Sequence, residues 1–224
     1  KLFDRSNHNN KLTMLTYIAN CLFKTKKYKQ SLRYAEILLK SMCEYDSFLY
    51  EKYLFYYYNI LVQNYSINDK VKALDSLDKA SKNELINKIP AYNSFIYLNR
   101  SLIYYDQYDF KRSKQNISRL IMQEDFLLLD KSFQLKILIT SVIIIYNVSK
   151  EHTKEKINEI KDNYNALLKT ESHYRDRLFL ELITKKLNSG DFEKDKDVFL
   201  SNITDEESKE LDIIGYNSWV KEYI

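Results

Sequence analysis

The 224-residue chain offers few side chains able to do covalent chemistry. Its histidines are His8, His152 and His173, and no two stand at the spacing that places metal ligands on one helical face. Neither Cys21 nor Cys43 has a near Cys or His companion. Glu171, His173, Asp176 and Glu181 form the densest titratable group. On a helix their offsets spread them around the axis, so a solvated face is expected, with a converging site as the alternative. No serine or cysteine lies in a nucleophile elbow. The only glycines are Gly190 and Gly215, so no glycine-rich loop can cradle a phosphate or a dinucleotide. These observations predict a chain that is not an enzyme and carries no metal or organic cofactor.

The elements that must position any site read as helices. Two glycines and one proline, Pro90, are too few for the turns of a sheet protein. Apolar residues recur at helical spacing almost throughout. Leu12, Leu15, Ile18, Ala19 and Leu22 form one stripe, and Leu32, Ala35, Leu38 and Leu39 the next. The polar turn Lys24-Thr25-Lys26-Lys27 separates them, so the two helices are antiparallel. Hairpins are expected at about 11–44, 47–83, 90–123, 131–169 and 172–201. Thr204 and Glu207 read as a capping box that opens a C-terminal capping helix over 204–224, with Gly215 either ending it or kinking it before Trp219, Val220 and Tyr223 on its inner face. The run from Ile137 to Val148 reads as the most buried helix. At about 12 residues it is short of a bilayer span, and no membrane insertion is expected. On this layout Cys21 and Cys43 differ in level by roughly 15 Å, too far to bridge, which predicts free, buried thiols.

Within this pattern the stretch Ile18-Ala19-Asn20-Cys21-Leu22-Phe23, followed by Tyr28, Ser31, Leu32, Ala35 and Leu38, resembles a tetratricopeptide repeat. In that family a small residue, Ala19 here, lets two helices approach closely. An aromatic, Tyr28 here, closes the turn, and a second small residue, Ser31 here, opens the second helix. Ser101, Tyr104, Phe110, Ser113, Ile117 and Leu120 repeat the pattern, while Ala73, Leu77 and Ala80 show its second half. The marker moves from Ser31 to Ala73 to Ser113, by 42 and 40 residues, against a family period of about 34. Longer helices or longer links are implied.

The resemblance implies a single all-α domain over 1–224, built as a right-handed α-solenoid of about five stacked antiparallel helical hairpins. It also implies a protein- or peptide-binding scaffold that uses the concave face of the stack, lined by the first helix of each hairpin. The alternative is a sensor or regulatory region of a bacterial transcriptional regulator or signalling protein whose output domain lies outside this sequence. In the first repeat the exposed first-helix positions would be Thr13, Thr16, Asn20 and Lys24. Some family members clamp a C-terminal carboxylate with a Lys and an Asn one turn apart on this helix. Asn20 matches the Asn, but Thr16 stands in place of the Lys, so such a clamp is not expected. The rings of Tyr50, Tyr53, Phe55, Tyr56, Tyr57 and Tyr58 cannot all face one side of a helix, so they divide between core filling and groove lining. The candidate partner-binding residues are Thr16, Asn20, Lys24, Tyr53, Tyr57 and Asn99.

Net charge is +4, mild for a nucleic-acid binder, and its distribution is uneven. Residues 1–45 carry nine Lys/Arg against three Asp/Glu, and residues 189–224 carry four Lys against ten Asp/Glu. An acidic end argues against direct nucleic-acid binding through this region. Lys24, Lys26, Lys27 and Lys29 cluster at the first turn, either as a solvated helix end or as a contact for an acidic partner or membrane headgroups. The N-terminal edge, with only the polar stretch Ser6 to Asn10 before it, is expected to meet another domain, a second copy of the chain or an acidic partner. The chain begins at Lys1 and not Met, so a trimmed N-terminus is expected. A cytoplasmic location is expected, with a periplasmic or extracytoplasmic one open.

Overall fold

The computed structural model describes residues 4–224, apart from the side chains of Glu206, Lys209 and Glu210. Lys1, counted above in the basic excess, lies outside the described residues. Among the described residues every regular element is helical and no strand occurs. The helices are α1 (His8–Lys24), α2 (Tyr28–Met42), α3 (Tyr50–Asn68), α4 (Lys70–Ser81), α5 (Glu84–Asn87), α6 (Tyr92–Tyr105), α7 (Phe110–Ile121), α8 (Glu124–Leu128), α9 (Lys131–Tyr146), α10 (Lys150–Asn163), α11 (Asn165–Leu168), α12 (Tyr174–Leu187), α13 (Glu193–Ser201), α14 (Asp205–Leu211) and α15 (Tyr216–Tyr223). The chain packs as two compact units, Lys1–Gln107 and Tyr108–Ile224, with the boundary in the link between α6 and α7.

In the first unit α1 packs on α2, α2 on α3, α3 on α4 and α4 on α6, and α1 also touches α3. The apolar stripes cause this. Leu12 and Ala19 of α1, Ala35 and Leu38 of α2, Leu54 and Ile60 of α3, and Ala73 and Leu77 of α4 share one buried core. Ser31 is fully buried, and its hydroxyl donates to the Ala19 carbonyl at 2.8 Å, so α2 starts close against α1. Residue His8 corrects the reading of Ser6 to Asn10 as a polar stretch ahead of the first helix. It opens α1, is fully buried, and holds the Ser41 carbonyl at 3.0 Å through Nε2.

The second unit follows the same order, with α7 on α9, α9 on α10, α10 on α12, α12 on α13, and α14 on α15. Helix α9 is apolar on all sides, and from Gln134 to Tyr146 every side chain but Lys136 is buried. The expected most-buried run is therefore present, but it ends at Tyr146 with the helix, and Val148 is 46% exposed.

The repeat is regular in a way the sequence half conceals. Ala19 and Ser31 are twelve residues apart, as are Leu61 and Ala73, Ser101 and Ser113, and Ser141 and Thr153. The second members, Ser31, Ala73, Ser113 and Thr153, are all fully buried at the fourth position of α2, α4, α7 and α10. The links between α4 and α6, α7 and α9, and α10 and α12 run to nine or ten residues. Short helices α5, α8 and α11 fill those links, and each buries one apolar side chain, Ile86, Phe126 or Leu168. Second helices also share their caps. Asp69, Asp109 and Ser149 accept from the backbone N–H groups of Lys72, Arg112 and His152, which satisfies first-turn donors of α4, α7 and α10. Helix α2 breaks the rule, because its N-cap residue is Lys27 and no side chain caps it.

Two further expectations are corrected. The helix expected over 204–224 is two helices, α14 and α15. The capping box forms as read, with Thr204 N–H donating to Glu207 Oε2 at 2.8 Å and Glu207 N–H to Thr204 Oγ1 at 3.2 Å. The chain then turns because the Asp212 carboxylate accepts the Tyr216 N–H at 3.2 Å. Both cysteines are free but exposed, not buried. Cys21 lies off the Leu12–Leu15–Ala19 stripe, and Cys43 follows the last residue of α2.

Candidate functional site

In the first unit a cleft of about 690 Å³ opens where the α1–α2 turn faces the C-terminal half of α3 and the start of α4. One wall is the first turn of α2 with Lys26, Lys27, Tyr28 and Lys29, and the other carries Asn64, Tyr65, Asp69 and Lys72. Lys72 is paired with Asp69 at 3.1 Å, while no ion pair involves Lys26, Lys27 or Lys29 among the described residues. The Lys72 backbone N–H, and then its ammonium, hold the Asp69 carboxyl below its usual range. Asn64 is 1% exposed. Its Nδ2 donates to Ser31 Oγ at 2.9 Å and to the Ile60 carbonyl at 2.8 Å, which fixes the amide's orientation. Its Oδ1 is left without a partner. That is unusual, since a buried acceptor without a donor costs about 1–3 kcal/mol.

The six candidate partner-binding residues do not form one surface. Thr16 is buried, and its hydroxyl donates back to the Leu12 carbonyl at 2.9 Å, so its expected exposure is corrected. Tyr53 is a core residue, 4% exposed, with its hydroxyl on Thr13 Oγ1 at 2.6 Å and on Asn9 Oδ1 at 3.0 Å. Asn99 spends its amide on its own helix, donating to the Phe95 carbonyl at 2.8 Å. Asn20 and Tyr57 are half-buried, and burial raises the Tyr57 hydroxyl pKa. Lys24 alone is exposed. Of the aromatic run, Tyr56 reaches solvent at 44% exposure, and Tyr50, Phe55, Tyr57 and Tyr58 are half-buried.

In the second unit the Glu171–Glu181 group is also corrected. Glu171 and Glu181 are solvated as expected, but His173 and Asp176 are buried. Lys136 Nζ lies 2.7 Å from Asp176 Oδ1 and 3.3 Å from Asp212 Oδ1. Arg175 Nη2 reaches Asp212 Oδ2 at 3.1 Å and Ser208 Oγ at 2.9 Å, with its guanidinium over the Phe199 ring. The Tyr216 hydroxyl donates to Asp176 Oδ1 at 3.0 Å. Full burial, and then the neighbouring carboxylates, push that phenol well above its ordinary pKa. Lys136, Arg175, Asp212 and Tyr216 are invisible to a motif search. The one signal for them is a lone cation, Lys136, inside the most apolar stretch of the chain.

Ser132 Oγ lies 3.0 Å from His173 Nε2, and His173 Nδ1 lies 2.7 Å from Asp176 Oδ2. The connectivity is that of a nucleophile, base and orienter. The amides beside Ser132 are not free to hold an oxyanion, however. Those of Ser132 and Phe133 donate to Asp130, the N-cap of α9, at 2.9 and 3.2 Å. Asp176 is also shared with Lys136 and Tyr216. The set therefore reads as a polar tie joining α9, α12 and α15. Nearby, a cleft of about 670 Å³ is walled by Phe126, Leu127, Leu138 and Leu167, with Lys131 and Thr170 at its edge.

Among the described residues no group of three or more His, Cys, Asp or Glu side chains is placed to hold a metal ion. Nor is any helix among them long and apolar enough to cross a membrane. No family model, curated protein or solved structure matches the chain.

Proposed function

We propose that the chain is a protein- or peptide-binding scaffold, a degenerate helical-repeat protein of the tetratricopeptide kind whose hairpins follow a right-handed solenoid plan. The observation that carries this reading is the packing order in the first unit. Each second helix lies against the next first helix, and α1 also lies against α3. Such an order buries the second helices between neighbours and leaves one side of the first helices to a ligand. Tyr17 on α1 and Tyr56 on α3, both on first helices, expose their rings at 66% and 44%. Large, semi-rigid aromatic surfaces of this kind anchor protein partners.

The test is a selection of random peptides displayed against the immobilised full chain, followed by titration of the enriched peptides in solution. Enriched peptides that bind saturably, and more weakly to a Tyr17→Ser/Tyr56→Ser variant, support the reading. Failure to enrich any sequence, or binding unchanged in the variant, overturns it.

A further inference from the structure

We infer that the cleft at the first turn binds an acidic peptide segment, with a ligand carboxylate capping α2. The inference rests on the binding reading above and names the chemistry of one of its ligands.

The first argument is the missing cap. At the starts of α4, α7 and α10 an Asp or Ser side chain occupies the N-cap and satisfies a first-turn amide. In α2 the equivalent residue is Lys27, which can only donate. The positive end of a 15-residue helix therefore faces the cleft without a side-chain acceptor, its Gln30 N–H held by the Lys27 carbonyl at 3.0 Å, and with Lys26, Lys27 and Lys29 around it. A carboxylate from a ligand fits where Asp69 and Asp109 sit in their own hairpins.

The second argument is independent of the first. Asn64 lines the same cleft, is 1% exposed, and keeps Oδ1 without a donor. An anion cannot satisfy an acceptor, whereas a peptide N–H can. A ligand that brings both a carboxylate and a hydrogen-bond donor answers both features, and a peptide bearing Asp or Glu has both. Tyr28, Leu32 and Tyr65 line the cleft as well and give an apolar neighbour of the acid a surface to cover. The cleft's size lies within the range of about 300–1,000 Å³ typical of ligand sites. Asp69 is the one carboxylate in the lining, and its pairing with Lys72 limits its opposition to an incoming acid.

The test uses the full chain and two fluorescein-labelled probes, the peptide Ser-Asp-Leu-Glu-Asp-Phe-Glu-Ser and its Asn/Gln counterpart. Fluorescence anisotropy should show the acidic probe binding at least tenfold more tightly, by a margin that shrinks between 50 and 300 mM salt. Lys26→Glu/Lys29→Glu should abolish the preference, and Lys82→Glu/Lys88→Glu, the same charge change on exposed lysines elsewhere in the unit, should leave it intact. Lys27→Asp, which restores a side-chain cap, should weaken the acidic probe and raise the melting temperature together, a pairing that loss of folding cannot produce. Equal loss in both charge-reversed variants reduces the effect to net charge and overturns the site. Equal binding of the two probes overturns it too. If the site fails while selected peptides still bind the chain, the scaffold reading stands and only the cleft is wrong; if no peptide binds at all, both fall.

Discussion

Asp176 and Asp212 share one ammonium, that of Lys136, and Asp212 also holds Arg175. Taking these groups from water is costly, and each charge is tolerated only because its partners are in place. Asp212→Ala should therefore destabilise the protein by about 3–5 kcal/mol in urea denaturation, because it leaves the half-buried Arg175 guanidinium without its anion, held only by the neutral Ser208 and Asn217. Adding Arg175→Met should recover most of that loss, since no unpaired charge then remains. A small effect of the single change would mean that solvent reaches the cluster. The pair His173 and Asp176 is legible in the sequence as two titratable residues three apart, but its burial is not. The residues that enclose it, Lys136, Asp212 and Tyr216, come from about forty positions away on either side, and local spacing holds no trace of them. The same holds for Asn64 and Ser31, whose hydrogen bond spans 33 residues. Thr16 and Tyr53 were legible as helix positions only; which way they face depends on the neighbouring hairpin.

At the level of the element, the fourth position of α2, α4, α7 and α10 is fully buried in each case. Ser31→Leu adds a bulky side chain to a fully buried site and removes the bonds to Ala19 and Asn64. It should cost at least the ~1–3 kcal/mol of overpacking, and Ser113→Leu should behave alike. Thermal melts of both, with the exposed Ile37→Leu as control, provide the measurement. Unchanged melting of the two serine variants would remove the register assigned here. Alternating stripes and polar turns make the helices readable from sequence, because burial imposes the 3.6-residue period directly. The link helices α5, α8 and α11 are harder to see, since four or five residues with one buried side chain are too short to show any period.

Over the whole molecule, α9 is the helix buried on all sides. Amides from Ile137 to Tyr146 should be the last to exchange with deuterium, and those of Ser189 to Asp191, which are exposed, among the first. Similar rates in the two segments would contradict this. Stability should also depend on pH at the alkaline end. Burial raises the pKa of Tyr57, Tyr58, Tyr146, Tyr164 and Tyr216, and Tyr223 is pushed up to about 12, chiefly by burial. The unfolded chain releases these protons near pH 10 and the folded one above it. Their contribution is thus complete below about pH 10 and is lost as pH rises toward 12. Lys150, lowered to about 8 by burial and by Lys186, acts in the opposite sense between about 8 and 10.4, but it is one amine against six phenols. Urea midpoints measured from pH 8 to 11.5 should fall above pH 10, and a flat profile would show that these phenols are solvated.

The twelve-residue spacing that recurs at 19 and 31, 61 and 73, 101 and 113, and 141 and 153 has a meaning in inheritance. Ser113 and Thr153 are equivalent sites forty codons apart. Unequal crossing-over between them would join His152 to a second Ser113 and lengthen the chain by one hairpin and its link. The fused helix would keep its apolar face, its Ser149 cap and a small residue at its fourth position. Copy number in such a chain can change by recombination without inventing a new contact. Point substitution at the buried pairs, by contrast, is penalised at once.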